Sequence, residues 1–108
     1  MTNENYDWSN AFDAIEEAMA RTASQCSGNI AVSEAERLGL MKQGNEAEAG
    51  TYQDKIREKT LGDVTLRFRW HCFDQSHAYR TYPDKNLLSL ELRQGSQVLR
   101  RAEKSFED

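Results

Sequence analysis

The chain holds two cysteines, one proline, six glycines and two histidines in 108 residues, and each shortage closes off a class of protein. Cys26 and Cys72 lie far apart and make no ligand-type pair, so neither a disulfide framework nor a zinc module organises the fold. Both read as reduced thiols of a cytosolic protein, with a single Cys26–Cys72 bridge as the alternative. Pro83 stands alone and the glycines are scattered, which leaves no linker or low-complexity tract. No apolar run approaches the ~20 residues of a membrane span. The opening Met-Thr-Asn-Glu-Asn-Tyr-Asp-Trp lacks the basic and apolar blocks of a secretory signal. The expected compartment is cytoplasmic.

Catalytic signatures are equally scarce. There is no Gly-x-Ser-x-Gly elbow to expose a serine and no glycine loop to cradle phosphate. Cys26 falls near a helix C-terminus, where the dipole works against a thiolate. Paired carboxylates such as Glu16-Glu17 lie on solvated helix faces, where nothing perturbs them. His71, Cys72, Asp74 and His77 form the one ligand-capable cluster. A strand through His71 turns Cys72 to the opposite side, so no complete ligand set remains. The expectation is a non-enzyme with no cofactor and no metal.

Charge is what the chain has in abundance. Charged residues make up 30% of the composition against 38% hydrophobic, the profile of one ordered domain with a heavily charged surface. A chain this long buries roughly two-thirds of the surface it exposes when unfolded. The net charge is −4. Residues 1–63 carry six Lys/Arg against twelve Asp/Glu, and residues 64–108 carry eight against six, which implies a dipolar surface.

The N-terminal part reads as helical over residues 7–60, after a frayed stretch at 1–6. Asp7 caps a helix through about Ser24, whose stripe of Trp8, Phe12, Ile15 and Met19 recurs at three- and four-residue steps. Gly28 and Asn29 end it. Ser33 and Glu36 have the spacing of a capping box, opening a second helix through Leu38, Leu40 and Met41 to near Gly44. Asn45 and Glu48 repeat the signal more weakly, for a third helix or helical turn to about Lys59. Ala35-x-x-x-Gly39 has the step of a helix-turn-helix, but no basic recognition helix follows.

The C-terminal part reads as an antiparallel sheet over residues 63–104. Val64–Phe73 alternates without a break: Val64, Leu66, Phe68, Trp70 and Cys72 on one face, Thr65, Arg67, Arg69, His71 and Phe73 on the other. A slip of one residue would exchange the faces, so the pattern specifies register as well as strand. Leu61-Gly62-Asp63 is the turn into it. His77–Tyr82 is extended until Pro83, and Leu88, Leu90 and Leu92 alternate with Ser89, Glu91 and Arg93. Gly95-Ser96 suits a type II′ hairpin that returns Gln97–Lys104 and sets Glu91 against Arg100. That last segment also fits helical spacing through Leu99, Ala102 and Phe106.

The expected architecture is therefore α+β: two or three N-terminal helices on one face of a C-terminal meander of about four strands. The other sheet face is left open. Arg67, Arg69 and His71 fall on that face, with Tyr79 and Arg80 on the following strand, and these five residues are the candidate binding surface. Arginine and aromatic side chains anchor protein interfaces. The expected function is stoichiometric binding of another protein, as an inhibitor (a phage-type inhibitor of a host system fits), immunity-type protein, chaperone or adaptor. A homo-oligomer through the terminal sheet edge is compatible with this. The alternative is single-stranded nucleic acid on the same basic and aromatic face, though no RNP-like motif is present.

Overall fold

Strand register, set by alternation, organises the molecule. The computed structural model describes residues 6–25, 29–43, 52–73 and 85–107. Along these the chain forms α1 (Trp8–Gln25), α2 (Asn29–Arg37), β1 (Met41–Lys42), β2 (Tyr52–Leu61), β3 (Val64–Phe73), β4 (Lys85–Gln94) and β5 (Gln97–Glu107). The strands lie in sequence order, β1-β2-β3-β4-β5, each antiparallel to its neighbours. This is an α+β fold with both helices on one face of the sheet.

The covered face follows from the apolar alternation. Leu66, Phe68 and Trp70 of β3 and Leu88, Leu90 and Leu92 of β4 are buried against Phe12, Ile15 and Met19 of α1 and Val32 of α2. Removing this much apolar surface from water is the main favourable term in folding. Two buried polar groups on that face are matched to each other. The Trp70 indole N–H donates to Asn86 Oδ1 at 2.8 Å, and Asn86 Nδ2 donates to the Phe106 carbonyl at 3.5 Å.

Helix α1 begins as its capping residue dictates: the Asn10 N–H donates to Asp7 Oδ1 at 2.9 Å. Helix α2 does not begin at the expected Ser33–Glu36 box. It starts at Asn29, and its free amide at Ala31 donates to the buried Thr22 hydroxyl of α1 at 3.1 Å. That hydroxyl itself donates to the Ala18 carbonyl at 2.8 Å. A tertiary cap thus replaces the local one. The helix ends earlier than expected, at Arg37. Leu40 N–H donates to the Ala35 carbonyl and Gly39 N–H to the Glu36 carbonyl, both at 3.0 Å, with Gly39 at φ 94°. This pair of bonds is a Schellman stop. It explains the Ala35-x-x-x-Gly39 step without any DNA-binding turn.

The third helix expected up to Lys59 is a correction, because residues 52–61 form strand β2. Met41, assigned to the second helix, lies instead in β1, paired with Glu58. Lys55, Arg57 and Lys59 stand on the covered side of β2, where cations sit against rings and a carboxylate. Lys55 Nζ lies 5.7 Å from the Trp70 ring centroid and Lys59 Nζ 4.8 Å from that of Tyr6. The buried Arg57 Nε donates to Glu36 Oε2 of α2 at 2.7 Å. Tyr6, placed in the frayed terminus by its sequence position, is packed. Its hydroxyl donates to the Leu38 carbonyl at 2.6 Å and its ring meets Trp8 edge to face.

The strand expected at His77–Tyr82 lies outside the described residues, as do Cys26 and residues 44–51. Both expected turns are present. Gly62 and Gly95 take φ 62° and 61°, a region open to glycine. The two turns meet at one end of the sheet through a bond from Gly95 N–H to the Asp63 carbonyl, 2.8 Å. Residues 97–107 are strand, not helix. Among the described residues no helix is long and apolar enough to cross a membrane.

Candidate functional site

The open face of the sheet is built from the residues that alternate with the core. On β3 these include Arg67 and Arg69, both exposed, and the half-buried His71. Pairing aligns each with residues on neighbouring strands. Arg67 stands between Glu58 of β2 and Glu91 of β4, and Glu91 stands next to Arg101 of β5. The result is one row across four strands whose charges alternate in sign: Glu58, Arg67, Glu91, Arg101.

The row is held by ion pairs. Arg67 Nε is 3.7 Å from Glu58 Oε2, and Arg101 Nε is 4.0 Å from Glu91 Oε2. Arg93 Nη1 donates to Glu91 Oε1 at 3.0 Å, and Arg101 Nη2 to Glu103 Oε2 at 3.3 Å. Cross-strand neighbours lie close enough for such pairs to add a few tenths of a kcal/mol each, roughly the value of exposed ion pairs. The next row carries Arg69 beside Ser89. Arg67, Arg69, Ser89, Glu91 and Arg101 line a shallow depression of about 210 Å³. Leu87, 37% exposed, adds an apolar position to the same face.

Of the five residues singled out by sequence, Arg67, Arg69 and His71 share this face at two-residue steps. Tyr79 and Arg80 lie outside the described residues. Sequence reasoning missed Glu58, because β2 was expected to be helical, and it misplaced Arg101. Glu91 faces Arg101 rather than the expected Arg100, since the register shifts between Leu92 and Arg93 and leaves Leu99 as an extra residue on β5. The hairpin signal gave the turn but nothing marked the bulge.

Arg100 instead turns to the covered side. Its guanidinium carbon lies 4.0 Å from the Phe12 ring centroid, and Nη2 reaches Asp13 at 3.0 Å and Glu16 at 3.7 Å. On α2, the Arg37 guanidinium bonded to Glu34 holds that carboxyl below its usual range. Burial, with the Asp7 charge second, raises the Tyr6 phenol above its ordinary value.

Among the described residues no group of three or more His, Cys, Asp or Glu side chains is placed to hold a metal ion. Compared with known proteins, the chain matches no family model, no curated protein and no solved structure.

Proposed function

We propose that this protein works in the cytoplasm by binding another protein stoichiometrically, as an inhibitor, immunity-type protein, chaperone or adaptor, without catalysis. The contact surface is the open sheet face around Arg67 and Arg69, with His71 at its border. The observation that carries this reading is the alternating row Glu58, Arg67, Glu91, Arg101 on a face neither helix covers. Guanidinium groups interleaved with carboxylates, beside an exposed Leu87, match the mixed polar and apolar character of protein interfaces. A surface for the phosphates of a single strand needs unopposed positive charge with stacking rings. Here Glu58, Glu91 and Glu103 lie against the arginines, which favours a protein partner.

The test is affinity capture by the full chain from its native host, run beside an Arg67→Gln, Arg69→Gln double variant. Charge removal is preferred to reversal, because a glutamate at 67 would stand between Glu58 and Glu91 and disturb the sheet itself. Wild type should enrich a protein that the folded double variant captures about tenfold less well, as expected for loss of an arginine anchor. Equal capture by both would overturn the assignment of the surface. Labelled single strands titrated at two salt concentrations test the other occupant. Binding that falls steeply with salt and is lost in the double variant would replace the protein reading with the nucleic-acid one.

A further inference from the structure

Strand β5 is a sheet edge: β4 pairs along one side of it, and among the described residues no element pairs along the other. From Arg100 to Glu107 its register against β4 is unbroken. Such an edge presents backbone N–H and C=O groups that an added strand satisfies. The side chains along it specify which strand. Arg101 and Glu103 are on the open face, two residues apart and opposite in charge. On the covered side, the single Arg100 guanidinium meets two carboxylates, Asp13 and Glu16. Lys104 on that side is exposed and has no ion-pair partner among the described residues.

We propose that the strand completing this edge is β5 of a second copy, antiparallel about a two-fold axis at Ala102. The two five-stranded sheets then form one sheet of ten strands. In this register Arg101 of each copy faces Glu103 of the other, so both open-face pairs are opposite in charge. Arg100 of each copy faces Lys104 of the other, a like-charge pair that is offset because Asp13 and Glu16 stand beside Arg100 and then meet two cations instead of one. The neighbouring registers lack this match. An axis at Arg101 sets that arginine against itself, and an axis at Glu103 does the same for the glutamate, both unfavourable. Val98 and Leu99, 41% and 44% exposed, come to lie near Phe106 and Ser105 of the second copy. The inference does not depend on the proposed function. A dimer of this kind would extend the open face across both copies.

The test is sedimentation velocity on the full chain, from low micromolar to several hundred micromolar. The mass should rise with concentration from 12.4 kDa toward twice that value. Lys104→Glu places a third carboxylate beside Asp13 and Glu16 of the other copy. It should weaken association about tenfold, because the change acts twice per dimer. Its thermal transition at low concentration should not move, since Lys104 holds no ion pair among the described residues of its own chain. Arg101→Gln should weaken association similarly, charge removal again being preferred because a glutamate at 101 would stand against Glu91 of its own chain. A wild-type chain that stays monomeric at the highest concentration would overturn the proposal. So would a dimer indifferent to both Lys104→Glu and Arg101→Gln. Capture through Arg67 and Arg69 is unaffected by either result.

Discussion

The two faces of the sheet come from the same strands, residue by alternate residue, yet they do different work. On the covered face Leu66, Phe68, Leu88 and Leu90 are at most 1% exposed. On the open face their immediate neighbours Arg67, Arg69 and Glu91 reach solvent or cross-strand partners. Because one backbone carries both sets, the apolar set alone determines which way the charged set points. Stability is therefore concentrated on one side, and the other side is left available for contact. The covered side of β2 qualifies this division. There Lys55, Arg57 and Lys59 lie at the flank of the core, and rings and Glu36 take the place of aliphatic packing.

The contrast is broken most severely by emptying the covered face. Phe68→Ala should cost about 3–5 kcal/mol in urea unfolding, since a fully buried ring leaves both lost burial and a cavity. Glu36→Ala tests the basic flank. It removes the carboxylate that accepts from the buried Arg57 Nε and should cost about 2 kcal/mol, less than a fully buried pair because Glu36 is half exposed. An unfolding midpoint equal to wild type would show that the Glu36–Arg57 pair does not hold β2 against α2.

A smaller effect is expected at Tyr6. Tyr6→Phe removes the bond to the Leu38 carbonyl and should cost about 1 kcal/mol at neutral pH. It should also alter the alkaline limb. The folded phenol titrates above its ordinary 10.0, so its contribution is complete below that value and is lost as pH rises through the higher folded one. Stability of the Tyr6→Phe variant should accordingly fall less between pH 10 and the folded value than that of wild type. Parallel curves would mean the burial of Tyr6 carries no linkage.

What could be read from sequence divides along the same line. The first helix, strand β3, its buried side and the leucine alternation of β4 were legible because their apolar residues recur at one clear period. Strand β2 was not. Its covered positions include Lys55, Arg57 and Lys59, and its open face carries Ile56 among Glu58 and Thr60, so no run of hydrophobic alternation marks it. The start of α2 was hidden for a different reason: the group that caps it, Thr22, belongs to another helix. Of the candidate surface, the β3 residues and the side on which Glu91 of β4 stands were legible. The place of Glu58 and the pairing of Glu91 with Arg101 depend on pairing between strands and on one bulged residue, which a single strand's pattern does not contain.

The division between a face that holds the fold and a face left open is tested most directly by urea unfolding of the Arg67→Gln, Arg69→Gln double variant. Exposed ion pairs contribute little, so the loss should stay under about 1 kcal/mol. A loss of about 3 kcal/mol or more, in the range of a core truncation, would contradict it and make the open face part of what holds the sheet together.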